Sequence, residues 1–100
     1  MFKTILGSIF ALGISAAPAM AAPRLAVQTI DTPYGIFACA QRAINRLYTM
    51  GATSVDPRGG AIWGNVMNNR VLVWCRGELS FITVAGDNPD DIRDEIAKAF

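Results

Sequence analysis

Two thiols are the most reactive groups in this chain, and their number and spacing decide what chemistry they can do. Cys39 and Cys75 are the only cysteines, and there is no histidine. A metal site wants clustered ligands and a redox centre wants Cys-x-x-Cys spacing, whereas this pair is widely separated and points to a structural disulfide. A reactive thiol would also need a resolving partner, and none lies nearby in sequence. Closing a loop of this length stabilises a folded chain by about 4 kcal/mol on the chain-entropy argument. Without histidine, the usual zinc sites and imidazole-based catalysis fall away. Ser54, Ser80 and Tyr34 have no base beside them in sequence, and Asp87, Asp90 and Asp91 lack the glycine and terminal glutamate of a calcium loop. No catalytic residue, metal or cofactor is therefore expected, and the reading is non-enzymatic.

Two other groups invite a ligand. Arg42 and Arg46 stand one helical turn apart and could hold an anion, or could contact Asp94 or Glu95 at about 0–1 kcal/mol each. The segment Asp56, Pro57, Arg58, Gly59, Gly60 is turn-rich, but it lacks the Lys-Ser/Thr ending of a phosphate loop and joins two strands. A small anionic-ligand binder or minor hydrolase using the Arg42/Arg46 side or the 56–60 loop is the alternative function.

The elements that must position these residues are organised around residues 62–85, which read as three strands and two tight turns. Asn68-Asn69 suits a type I′ turn and Gly77-Glu78 a type II′ turn. The first predicts Val66 opposite Val71, Trp63 opposite Trp74 and Ile62 opposite Cys75. The second predicts Cys75 opposite Ser80, Trp74 opposite Phe81, Val73 opposite Ile82 and Val71 opposite Val84. Alternation then sorts the side chains. Ile62, Val66, Val71, Val73, Cys75, Ile82 and Val84 share one face, and Trp63, Trp74 and Phe81 line the other.

Upstream, Thr32 or Asp31 caps a helix over residues 34–50, with Pro33 in its first turn and Gly51 ending it. Its apolar stripe is Ile36, Ala40, Ala43, Ile44 and Leu47, with Cys39 near the buried edge. Residues 52–56 form a short strand. Downstream, Asn88 caps a second helix with Pro89 first and an Ile92, Ile96, Ala99, Phe100 stripe. Residues 23–30 read as either an edge strand or an extended arm. The fold class is α+β: a two-layer sandwich of an antiparallel meander of three to four strands with two helices on one face, in the order (β)-α-β-β-β-β-α. A disulfide between Cys39 and Cys75 requires the helices to cover the valine face.

That placement leaves the aromatic side open, apart from whatever residues 23–30 cover. Trp63, Trp74 and Phe81, extended by Leu72, Met67 and Leu79 and rimmed by Arg70, Arg76, Asn65 and Thr83, form the candidate interaction surface. The competing account makes them cross-strand stabilisers sheltered by arginine stems. The expected partner is another protein or a second copy, with an envelope enzyme as one possible target.

Residues 1–21 read as a signal peptide: Lys3, an uncharged apolar run broken by Gly7 and Gly13, and Ala19-Met20-Ala21 at the cleavage site. The run falls short of the ~20 residues needed to span a bilayer. The expected mature domain, residues 22–100, is thus periplasmic or secreted and free of the membrane. Removing Lys3 balances the charges, which argues against nucleic acid. Six arginines lie within residues 22–76 and six acids within residues 77–100, a polarity suited to internal pairing.

Overall fold

The computed structural model describes residues 24–100. The expected leader, residues 1–21, and its cleavage site lie outside the described residues. The elements are β1 (Arg24–Asp31), α1 (Gly35–Thr49), β2 (Thr53–Arg58), β3 (Ala61–Val66), β4 (Asn69–Trp74), β5 (Leu79–Gly86) and α2 (Pro89–Ala97). All strands pair antiparallel in one five-stranded sheet, ordered β1-β5-β4-β3-β2. This is the α+β sandwich expected, with the N-terminal segment resolved as an edge strand beside β5.

Both helices pack on one face. α1 lies over β2 and β3, and α2 lies between β1 and β5. Between sheet and helices sit Cys39, Ala43, Leu47, Ile62, Val66, Val71, Val73, Cys75, Ile82, Val84, Ile92 and Ile96, all buried. The Cys39–Cys75 disulfide forms, with the two Cα atoms 5.9 Å apart, and joins α1 to the residue following β4. One stripe position differs: Ile36, in the first turn of α1, is exposed.

The β4–β5 register follows expectation, with Val71 opposite Val84, Val73 opposite Ile82 and Trp74 opposite Phe81. The β3–β4 register does not. Val66 faces Asn69, so the turn residues are Met67 and Asn68, and Ile62 faces Val73 while Trp63 faces Leu72. The reason is Asn69, which is buried and too well bonded to serve in a turn. Its Nδ2 donates to Val66 O at 3.2 Å and to Asn88 Oδ1 at 2.8 Å, and its Oδ1 accepts the Asn88 N–H at 3.2 Å. The register moved by two residues, so every side chain kept its face.

Two caps are also corrected. α1 starts at Gly35 with no side-chain cap, and Thr32 is fully buried beneath the β4–β5 loop. The Thr32 hydroxyl donates to Gly77 O at 2.5 Å, and Ser80 Oγ accepts the Arg76 N–H at 3.1 Å. Thr32 has one hydroxyl proton, so in the 2.7 Å contact between them Ser80 must be the donor. Asn88 occupies the cap position of α2, but its side chain turns to Asn69. Gly51, at φ 79°, ends α1 as expected.

The 56–60 segment is mostly strand. β2 runs through Asp56, Pro57 and Arg58, and only Gly59 and Gly60 turn. Gly60 O accepts the Cys75 N–H at 2.7 Å, and a Cβ on Gly60 would stand 2.5 Å from Cys75 O. The second glycine thus serves close backbone approach beside the disulfide.

Replacing both Cys39 and Cys75 with alanine should lower unfolding free energy by about 4 kcal/mol in urea titrations. Gly60→Ala, with the disulfide intact, should cost roughly 1–3 kcal/mol by forcing the strands apart. Unchanged midpoints would show that the two backbones separate freely.

Candidate functional site

The strand registers set out the sheet face away from the helices as three rows. Leu25, Ala85, Arg70, Asn65 and Thr53 form the first row. Val27, Thr83, Leu72, Trp63 and Asp56 form the second, and Thr29, Phe81, Trp74, Ala61 and Arg58 the third. Leu79 and Asp31 continue the face at one end. β1 therefore widens this face and does not fold across it. Neither helix reaches it among the described residues.

All six residues of the expected surface belong here: Trp63, Trp74, Phe81, Leu72, Arg70 and Arg76. Their order differs from the single aromatic row. Trp74 and Phe81 are cross-strand neighbours with ring centroids 6.2 Å apart, while Trp63 sits in the adjacent row opposite Leu72. Met67 is exposed at the turn tip, outside the rows. Two apolar residues of the face were missed, Leu25 and Val27, which are 64% and 54% exposed. Their period-2 spacing was legible, but alternation in residues 23–30 is too irregular to choose a strand over an arm.

Each tryptophan carries an arginine. The Arg70 guanidinium lies 5.1 Å from the Trp63 ring centroid and donates to Asn65 Oδ1 at 3.3 Å. The Arg76 guanidinium lies 4.6 Å from the Trp74 centroid. Each such contact is worth about 0.5–1 kcal/mol at an exposed site. Among the described residues neither arginine has a carboxylate within ion-pair distance, unlike Arg58, which bonds Asp56 at 2.9 Å. Trp74 nonetheless stays 46% exposed. The arginine-stem account and the open-surface account thus describe one arrangement, in which a cation partly shelters each ring.

The Arg42/Arg46 side is differently employed. Arg46 donates to the Glu95 backbone carbonyl at 2.7 Å and to its carboxylate at 2.9 Å. Among the described residues Arg42 reaches no acid: it donates to Ala99 O at 3.2 Å and lies 4.2 Å from the Tyr34 ring centroid. Both arginines fasten α1 to the end of α2. The hollow beside them, lined by Arg42, Asn45, Arg46, Thr49 and Ala99, is about 260 Å³ and wide open, below the usual ligand-pocket range. A second shallow hollow of about 370 Å³ lies over the Met67-Asn68 turn.

No group of three or more His, Cys, Asp or Glu side chains converges on a metal position among the described residues. No described helix is long and apolar enough to cross a membrane. Comparison with known proteins adds no relative: no family model, curated protein or solved structure matches this chain.

Among the described residues Glu95 is a carboxyl whose neighbours move its titration. The Lys98 ammonium, bonded to it at 2.7 Å, holds the carboxyl below its ordinary value, and Arg46 acts in the same direction. A lowered folded-state pKa means that this contribution is complete above the unfolded pKa and is lost as pH falls through the folded one. Glu95 is half-exposed, so screening keeps the effect small. Glu95→Gln should therefore lower the melting temperature slightly at neutral pH and converge with the wild type as pH falls, flattening the acid limb. An identical acid limb in both proteins would show that the helix contact does not titrate.

Proposed function

We propose that this is a non-enzymatic exported domain, periplasmic or secreted, that acts by docking another protein on the open sheet face. The observation carrying this reading is Trp74: a large aromatic, nearly half exposed at the end of the central strand, on a five-stranded face that no described element covers. Apolar area of this kind, centred on aromatics with arginine beside them, has the composition of interface hot spots. Leu72, Trp63 and Phe81 provide the flanking contact area, and Arg70 and Arg76 provide direction.

The arginines define the partner's chemistry. With no carboxylate in ion-pair distance among the described residues, Arg76 has N–H donors to offer a carboxylate, and so does Arg70 beyond the one given to Asn65. The fitting surface is apolar at its centre and acidic at its rim. An envelope enzyme inhibited by such docking is one form of this function. The charge balance of residues 22–100 argues against nucleic acid as the partner. The disulfide and the leader-like composition of residues 1–21 support an oxidising compartment.

Trp74→Asp tests this reading. The variant should keep the wild-type circular dichroism spectrum and lose partner affinity at least about tenfold, as for a hot-spot residue. Affinity would be measured by calorimetry against a partner captured from an envelope extract and then purified. Arg70→Glu should weaken the same complex, and Arg42→Ala should not. Equal affinity of wild type and Trp74→Asp would remove the proposal.

A further inference from the structure

The two edges of the sheet are built differently, and the difference falls on the backbone. At one edge, β2 carries Pro57, which has no N–H to offer, and an irregular register between Thr53 and Asp56 with Ser54 at φ 56°. Proline, a bulge and exposed charge are the devices that stop strands from adding to an edge. At the other edge, β1 has eight residues, an unbroken register to β5, and neither proline nor lysine.

Which groups of β1 face outward follows from one bond. The Thr32 N–H donates to Glu78 O at 2.8 Å, one step beyond the last registered pair, Asp31 opposite Leu79. Thr32 and Glu78 are therefore a hydrogen-bonded pair, and antiparallel ladders alternate. Ala26, Gln28 and Ile30 bond inward to β5. Leu25, Val27, Thr29 and Asp31 turn their N–H and C=O groups to the edge that no described strand pairs.

We propose that this edge pairs with β1 of a second copy, joining two sheets into one of ten strands. A two-fold axis normal to the sheet keeps the open faces on one side, so odd residues must meet odd residues. The register setting Leu25 against the second copy's Asp31, and Val27 against its Thr29, uses all four outward residues on each side. Because α2 packs on both β1 and β5, pairing the two β1 strands also brings the two α2 helices side by side on the covered face. This pairing is independent of what the open face binds.

Thr29→Pro isolates the contact. The Thr29 N–H belongs to the outer edge, so proline there blocks pairing while leaving the β1–β5 bonds intact. At about 1 mM the wild-type protein should sediment as a dimer, and the Leu25, Val27, Thr29 and Asp31 amides should exchange at least tenfold more slowly than at about 10 µM. Thr29→Pro should be monomeric at both concentrations with its Ala26, Gln28 and Ile30 amides still protected. Trp74→Asp should dimerise as wild type does. Three results would each overturn the proposal: wild-type protein that stays monomeric with fast outer amides, outer amides protected equally at both concentrations, or a dimer lost in Trp74→Asp yet kept in Thr29→Pro.

Discussion

The fold depends on the cross-link between Cys39 and Cys75 and on the close backbone contact beside it. Four segments meet there. α1 supplies Cys39, the β2–β3 turn supplies Gly60, the end of β4 supplies Cys75, and the β1–α1 junction supplies Thr32 beneath the following loop. Gly60 can receive the Cys75 N–H only because it has no side chain. Thr32 and Ser80 satisfy the loop's polar groups where water is absent. By fixing α1 to one face, this junction also determines which face stays uncovered.

Most of this was legible because apolar alternation is a strong constraint. A strand slipped by one residue would expose Val71, Val73 and Val84, so only slips of two were compatible with the pattern. The β3–β4 turn moved by two, and the covered and open faces were unaffected. What could not be read was the use made of Asn69 and Thr32. Asparagine and threonine satisfy turns and caps locally, and the same atoms satisfy buried long-range partners equally well. Sequence spacing reports only the local option. The structure spends Asn69 on Asn88, nineteen residues away, and Thr32 on Ser80, forty-eight away. β1 was ambiguous for a related reason: nothing in a single strand's residues names the neighbour that completes its ladder.

The arginines divide by what else competes for them. Arg42 and Arg46 looked like a ligand pair because they share a helix face, yet that face points at the end of α2 and its carbonyls. Each guanidinium is committed to a group that positions a helix. Arg70 and Arg76 lie over tryptophan rings, and among the described residues only Asn65 takes a side-chain hydrogen bond from either. Stacking also restricts the side chain before any partner arrives, which reduces the ordering cost of docking. The sheltered ring and the available donors belong to one arrangement.

Leu25 and Val27 belong to both proposed surfaces. Their side chains lie on the open face, and their backbone groups lie on the edge that no described strand pairs. Because side chains in a strand stand perpendicular to the hydrogen-bonding plane, occupying one does not obstruct the other. In that register the row Trp63, Leu72, Thr83, Val27 would continue into the second copy's Thr29, Phe81 and Trp74. Edge pairing would then enlarge the open face without covering it. A contact that buried the face between two copies would do the reverse, consuming the aromatic area. The orientation of the outward backbone groups therefore favours an assembly in which the tryptophans of both copies remain available on one side.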